Sequence, residues 1–105
     1  MLSPVITNHL KQIKTLCEEH HVKELYVFGS ASKNEMNEKS DIDFVIDFQN
    51  VDPHIFAENY FSLSEKSELL LKRKVDFVTE KYLQNKYYID DIKQTKVKII
   101  LKEDL

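Results

Sequence analysis

Residues 25–48 read LYVFGSASKNEMNEKSDIDFVIDF, and the rest of the chain is organised around them. It opens on an apolar run, Leu25–Phe28, which is typical of a buried strand. The run stops at Gly29, the only glycine in the protein. Glycine accepts backbone angles that strain other residues and lets neighbouring groups approach closely. We therefore expect a turn here at which a phosphate could meet backbone N–H groups.

A second predicted strand, near residues 41–48, carries acidic side chains on one face and apolar side chains on the other. Because side chains alternate along a strand, one face holds Asp41, Asp43, Val45 and Asp47. The other face holds Ile42, Phe44, Ile46 and Phe48, and it must pack on a core. Asp41 and Asp43 lie one pleat apart and repel by about 1 kcal/mol or more. Carboxylates spaced this way suit Mg²⁺, which would remove the repulsion.

A third carboxylate comes from residues 74–78, which read KVDFV and predict another strand. Val75 and Phe77 share one face, and Asp76 lies on the opposite one. If both strands turn their aromatic face to the same core, Asp76 lies on the side of Asp41 and Asp43. Three carboxylates beside a glycine turn could hold two metal ions about 4 Å apart, which clamp an in-line phosphoryl displacement.

The order of these features resembles the nucleotidyltransferase superfamily of the DNA polymerase beta type. The features are an apolar strand, Gly-Ser, about ten residues, Asp-apolar-Asp-apolar, and a later apolar-Asp-apolar strand. The short length and the segment VDFVTE resemble the minimal nucleotidyltransferase group in particular. The resemblance implies a palm-like α+β fold and a single minimal domain over residues 1–105. From the element order we expect a mixed sheet with helices packed on one face and the acidic site on the other.

The resemblance also assigns roles to the site residues. The backbone of Gly29 and the hydroxyl of Ser30 would hold the β- and γ-phosphates of a nucleoside triphosphate, most often ATP. Asp41 and Asp43 would bind two Mg²⁺ ions, and Asp76 would complete the site as a metal ligand or as the base for the attacking hydroxyl. In one departure, Ala31 stands where many family members carry a basic residue, and Lys33 stands at the second basic position. The triphosphate contact is then weaker, or is supplied by Lys33 alone.

Three functions fit this resemblance. The first is an antitoxin that transfers AMP from ATP to a tyrosine of a partner HEPN-domain ribonuclease toxin. The second is a non-catalytic module that neutralises the same partner by occlusion. The third is a small-molecule nucleotidyltransferase resembling aminoglycoside-modifying enzymes, which usually need an additional helical domain. A structural interpretation also stays open, in which Gly29 is a turn glycine and the aspartates are ordinary strand-end polar groups.

The composition of the chain limits which partners and which cellular compartment we expect. The chain of 105 residues has a net charge of −3 and dispersed positive residues, so we expect no autonomous nucleic-acid binding. The single cysteine, Cys17, cannot form an internal disulfide, which favours a reducing, cytoplasmic setting. No apolar run reaches membrane-spanning length, and the N-terminus lacks a signal-peptide core. Oligomerisation is left open.

The N-terminal part of the chain predicts a helix that begins at Ser3-Pro4. Its apolar stripe is formed by Ile6, Leu10, Ile13 and Cys17. We interpret Cys17 as a core residue rather than a nucleophile. His20 and His21 are expected at a solvated helix end.

The rest of the chain predicts three further helices and a last strand. Ser30 could cap a short helix through Met36. Asp52-Pro53 begins a helix to about Arg73, which is either deeply packed or a partner surface. Thr79 could cap a helix through about Gln94. Its inward residues would be Leu83, Tyr87 and Ile92, and the final predicted strand is Val97–Leu101.

Overall fold

The computed structural model describes residues 3–29, 41–79 and 84–101. Its centre is a four-stranded sheet formed by β1 (Val22–Phe28), β2 (Ile42–Phe48), β3 (Val75–Val78) and β4 (Val97–Leu101). The strand order is β3-β2-β1-β4. β1 runs antiparallel to both β2 and β4, whereas β2 and β3 are parallel. The predicted mixed sheet is therefore confirmed.

Three helices cover the apolar face of this sheet: α1 (Pro4–Thr7), α2 (Leu10–Glu19) and α3 (Pro53–Leu71). Phe44 of β2 and Phe77 of β3 are buried beneath them, and their rings stack with centroids 5.3 Å apart. The main core joins these rings to Ile13 and Cys17 of α2 and to Leu63 of α3. The alternation predicted from the sequence therefore sends the aromatic side chains of β2 and β3 into one core.

The N-terminal helix differs from its prediction because it is broken in two. The Ser3 hydroxyl accepts a hydrogen bond from the Val5 N–H at 3.3 Å, as expected of a cap. His9, however, lies outside the helical region, with φ −125° and ψ 15°, and α2 begins after it. Because α2 begins anew after His9, its apolar stripe is not continuous with that of α1. Leu10 is therefore 40% exposed, while Ile6 stays buried. The expected contribution of Leu10 to the stripe was wrong.

His20 was expected at a solvated helix end, and this was also wrong. Its side chain is only 4% exposed. Nδ1 lies 2.7 Å from the Leu16 carbonyl oxygen, and Nε2 lies 2.9 Å from the Ser62 hydroxyl of α3. Both ring nitrogens are therefore used, and the imidazole connects α2 to α3. Cys17, one turn earlier, is buried as predicted, and burial raises the pKa of its thiol to about 12, which disfavours the reactive thiolate.

α3 begins as its sequence predicts. The Asp52 carboxylate accepts a hydrogen bond from the His54 N–H at 2.8 Å. Leu63 and Leu71 lie on its buried face, whereas Phe61 is 70% exposed and Leu69 is 71% exposed. The helix is therefore packed on one side only, and its outer side keeps exposed apolar residues.

The last helix, α4 (Lys86–Thr95), differs in both its start and its position. It begins at Lys86 rather than near Thr79, and the Asn85 side chain accepts a hydrogen bond from the Tyr87 N–H at 3.0 Å. Tyr87 was expected to face inward, but its side chain is 87% exposed. Ile92 is fully buried, as predicted. Leu83 and the predicted helix of residues 30–36 lie outside the described residues.

α4 also corrects the predicted layering, because it packs on the acidic face of the sheet. Ile92 packs with Phe28 of β1 and Val45 of β2, and Val78 of β3 joins them. Alternation places these apolar side chains on the acidic face, where they need cover from water. α4 supplies that cover and so borders the carboxylates. Within the ranges that the structure describes, no helix is long and apolar enough to cross a membrane.

Candidate functional site

Asp43 and Asp76 are brought together by the pairing of β2 with β3. The two strands are parallel, and Asp43 lies in register with Asp76. The next pair in register is Phe44 with Phe77, whose rings lie in the core on the opposite face. Because neighbouring strands are about 4.8 Å apart and both carboxylates leave the same face, they are immediate neighbours. Residues more than thirty positions apart in sequence thus form one acidic pair.

Asp41 contributes a third negative charge from the residue just before β2. Its side chain is exposed, whereas Asp43 is half-buried. Burial raises the pKa of Asp43, and the charges of Asp76 and then Asp41 raise it further. Asp43 is therefore the least solvated of the three carboxylates and is repelled by both others. A cation at this position would relieve that repulsion.

Gly29 closes against this acidic group from the end of β1. The preceding residue, Phe28, pairs with Asp43, and Gly29 turns away with φ +68°, in the left-handed region. A Cβ atom at Gly29 would lie 3.3 Å from Oδ2 of Asp43. Any other residue would be strained in its backbone and would crowd the carboxylate. The positive φ and the close carboxylate both favour glycine at this position.

The Gly29 N–H is directed at α4. It donates a hydrogen bond to the hydroxyl of Thr95, the last residue of α4, at an N···O distance of 3.4 Å. The same hydroxyl donates to the Asp91 carbonyl oxygen at 2.8 Å. The backbone donor that the sequence suggested for phosphate binding is therefore already directed at a side chain.

Asp47 shares the acidic face but belongs to another part of it. It pairs with Glu24 of β1, toward the end of β2 away from Gly29. There it lines a groove of about 410 Å³ along α4, together with Tyr26 and Lys93. The ammonium group of Lys96 lies 4.6 Å from the centre of the Tyr26 ring in the same groove. The structure thus separates Asp47 from the acidic group of Asp41, Asp43 and Asp76.

Two predicted nucleotide-binding residues, Ser30 and Lys33, lie outside the described residues, as does Ala31. Their assignment stays a prediction from the sequence.

The sequence profile of the nucleotidyltransferase domain family matches residues 10–100. This chain belongs to the nucleotidyltransferase domain family. The match spans the glycine turn, the acidic strands and α4, so the residues described above lie within the family's domain. The protein is accordingly a nucleotidyltransferase.

Two relatives named as protein adenylyltransferases are similar to this chain in sequence. A protein of Methanocaldococcus jannaschii with the provisional name protein adenylyltransferase is 36% identical over 84 residues, which cover 80% of this chain and 83% of the relative. The protein adenylyltransferase MntA of Thermococcus cleftensis is 32% identical over 84 residues, covering 80% of this chain and 79% of the relative. Both names describe the transfer of a nucleotide to a protein.

Solved structures show the same fold. A structure provisionally described as a minimal nucleotidyltransferase superposes with a TM-score of 0.74 at 24% identity, covering 92% of this chain and 95% of the other. An MNT antitoxin in complex with a tri-AMPylated HEPN toxin of Shewanella oneidensis superposes with a TM-score of 0.62 at 17% identity. The superposition covers 93% of this chain and 74% of the other. These likenesses confirm the predicted fold of the nucleotidyltransferase domain.

The acidic group of this nucleotidyltransferase is open rather than a closed cage. Across residues 3–29, 41–79 and 84–101, no three Asp, Glu, His or Cys side chains gather closely enough to hold a metal ion by themselves. Mg²⁺ usually takes only one or two carboxylates and completes its shell with water and phosphate oxygens. The hard oxygens of Asp43 and Asp76, with the charge of Asp41 nearby, therefore fit a cation that arrives with a triphosphate.

Thr95 is the residue of this nucleotidyltransferase that sequence reasoning missed. Nothing local distinguishes it, because a threonine near a helix end is common and Gly29 lies 66 residues away. The available signal was topological. β4 starts two residues after Thr95 and pairs with β1, so the end of α4 must lie near the end of β1.

Proposed function

We propose that this nucleotidyltransferase transfers AMP from ATP to a hydroxyl group of a partner protein, and that the partner is a HEPN-domain toxin whose activity the transfer suppresses. The observation that carries the proposal is the acidic pair of Asp43 and Asp76 beside the Gly29 turn. Core packing gives no reason for two carboxylates to lie in register on adjacent strands. Transfer of a nucleotidyl group needs them, because the triphosphate brings cations that carboxylates must hold.

The proposed cofactor is a pair of Mg²⁺ ions held by Asp41, Asp43 and Asp76. When bound, such ions neutralise the charge that develops on the phosphoryl group. Asp43 would be a ligand, since it lies in register with Asp76 and two residues from Asp41. Asp76 would complete the site, either as a ligand or as the base that takes the proton of the attacking hydroxyl.

The nucleotide is proposed to bind where β1 ends. The left-handed turn at Gly29 carries the chain past the Asp43 carboxylate, so closely that a Cβ atom there would lie 3.3 Å from Oδ2. Ser30 and Lys33 follow directly in sequence and would contact the β- and γ-phosphates. ATP is supported as the substrate by the names of the adenylyltransferase relatives and by a structural neighbour, a toxin–antitoxin complex solved with AMP-PNP.

A protein acceptor is supported by the same comparisons. The Shewanella oneidensis neighbour is an MNT antitoxin bound to an AMPylated HEPN toxin. A tyrosine on such a partner, in the cytoplasm, is the acceptor we propose. The chain's exposed apolar residues on α3, Phe61 and Leu69, are available for contact with another protein.

The test uses ATP labelled separately at the α- and γ-phosphates, the purified protein, Mg²⁺ and a candidate HEPN-domain partner. AMP transfer leaves the α-label on the partner and releases the γ-label with pyrophosphate. We expect α-label on the partner, and none when EDTA is added. Transfer of γ-label would indicate a kinase reaction, and the absence of both labels at full complex formation would favour neutralisation by occlusion.

A further inference from the structure

The Gly29 turn lies beside the Asp43 carboxylate, and its N–H donates a hydrogen bond to the Thr95 hydroxyl. We infer that Thr95 is a positioning residue for nucleotide binding. Its hydroxyl fixes the Gly29 peptide beside the Asp43 carboxylate. The inference rests on the proposed function and adds α4 to the nucleotide site.

The hydrogen bonds at Thr95 have a defined direction. A hydroxyl group has one proton, and that of Thr95 is donated to the Asp91 carbonyl oxygen at 2.8 Å. The lone pairs of the oxygen are then left for the Gly29 N–H, which lies 3.4 Å away. Thr95 therefore acts as an acceptor toward Gly29, and the bond to Asp91 orients it for that role.

Thr95 is itself held in place on the sheet. Ile92, one turn earlier, is fully buried against Phe28 and Val45. Phe28 directly precedes Gly29, and Val45 is the next residue after Asp43 on the same face of β2. On the other side, the Lys96 N–H donates to the Ile92 carbonyl oxygen at 2.8 Å. Val97 then pairs with Val27 of β1. The hydroxyl is thus fixed relative to the strands that carry the glycine turn and the carboxylates.

A glycine turn needs such a restraint more than other turns do. Glycine loses more backbone freedom on ordering than any other residue. If the turn were loose in the free protein, nucleotide binding would have to order it and would be weakened accordingly. The hydrogen bond from Gly29 to Thr95 orders the turn beforehand, so its loss should reduce affinity for the nucleotide more than it slows the chemical step.

The sequence offers a direct observable, because Gly29 is the only glycine. Protein labelled with ¹⁵N-glycine gives a single backbone amide resonance, which reports on this N–H alone. Thr95→Val removes the hydroxyl at nearly constant volume, and Thr95→Ser keeps it. Thr15→Val is the matched control. Thr15 donates to the Lys11 carbonyl oxygen at 3.1 Å, the same bond within a helix, on the exposed side of α2.

In the experiment, the amide of Gly29 is followed for hydrogen exchange, and affinity for Mg²⁺–AMP-PNP is measured by calorimetry. We expect faster exchange at Gly29 and about threefold to tenfold weaker binding in Thr95→Val, the range of one neutral hydrogen bond. The KM for ATP should rise by the same factor, with kcat within about twofold. Thr95→Ser and Thr15→Val should behave like the parent. If Thr95→Val does not fold, Thr95→Ala takes its place.

The outcomes separate the inference from the proposed function. Binding of AMP-PNP by the parent, with equal affinity and unchanged Gly29 exchange in Thr95→Val, overturns the role of Thr95 and leaves the proposed function intact. Equal weakening by Thr15→Val would also overturn it, since the effect would then belong to helix stability. Failure of the parent itself to bind Mg²⁺–AMP-PNP overturns the proposed function and the inference with it.

Discussion

Asp43 and Asp76 lie in register on the parallel strands β2 and β3, with their carboxylates on the face opposite the stacked rings of Phe44 and Phe77. The register that buries one ring against the other also sets one carboxylate beside the other. A shift of one residue would separate both pairs, because alternate side chains would exchange faces. Core packing and the acidic site therefore depend on the same strand pairing.

The first prediction concerns the charge of Asp43 in the protein without metal. Burial and the neighbouring carboxylates raise the pKa of Asp43 above its unfolded value. The protonated Asp43 carboxyl therefore contributes to the stability of the folded state below its unfolded pKa of about 3.9. This contribution is lost as pH rises through the folded pKa. At pH 7 the ionised group is destabilising, so Asp43→Asn should unfold at a urea concentration equal to or above that of the parent. The difference in unfolding midpoint between Asp43→Asn and the parent should shrink as pH falls toward 4.

Urea unfolding in EDTA from pH 4 to pH 7 measures this effect, with Asp90→Asn on the exposed surface of α4 as the control. Added Mg²⁺ should stabilise the parent and not Asp43→Asn. A loss of more than about 2 kcal/mol in Asp43→Asn at pH 7 would instead mean that the aspartate has a structural role.

The second prediction concerns the core beneath the site. Phe44 is buried and stacks on Phe77, so Phe44→Ala should lower the free energy of unfolding by about 3–5 kcal/mol. Phe61→Ala is the matched control, because the Phe61 side chain is mostly exposed on α3, and its effect should stay below about 1 kcal/mol. Urea denaturation of the two variants provides the comparison. Similar losses in both would contradict the assignment of Phe44 to the core.

The third prediction concerns Gly29. Gly29→Ala places a residue at φ +68° and a Cβ 3.3 Å from Oδ2 of Asp43. The backbone strain should cost about 1–2 kcal/mol of stability. The carboxylate must also shift by a few tenths of an ångström, so Mg²⁺–AMP-PNP affinity should fall as well. Thermal melts and calorimetry measure the two effects, and a fully stable variant with parental affinity would show that the turn does not need glycine.

Features that depend only on the alternation of side chains along a strand could be predicted from the sequence. The opposite faces of Asp43 and Phe44, and of Asp76 and Phe77, follow from local pattern and were found as expected. Features that depend on contacts between distant segments were missed. His20 reads as a helix-end residue until Ser62 of α3 is placed 2.9 Å from its ring.

The position of α4 shows the same limit. The amphipathic pattern of α4 does not predict which face of the sheet the helix covers. It covers the acidic face because Phe28 and Val45 there must be shielded from water. Thr95 becomes part of the site only through this choice. Ser30 and Lys33 stay predictions from the motif, because they lie outside the described residues.

A fourth prediction separates modification from occlusion in cells. Asp41→Asn, Asp43→Asn keeps the shape of both side chains and removes two charges. In cells that express a HEPN-domain toxin recognised by this protein, the double variant should lose most of its protection at equal expression. Phe61→Ala with both aspartates intact tests whether loss of a surface contact mimics this effect. Full protection by the double variant would show that binding alone neutralises the toxin.

The intact mass of the partner after incubation with ATP and Mg²⁺ shows directly whether the carboxylates carry out the transfer. The parent and Asp41→Asn, Asp43→Asn are measured in parallel. Complex formation by both proteins is first confirmed by gel filtration, so that a difference in mass reports on chemistry alone. We expect a partner mass raised by one or more AMP units with the parent, and an unchanged mass with the double variant. Equal AMP transfer by both proteins would show that these carboxylates do not carry out the reaction.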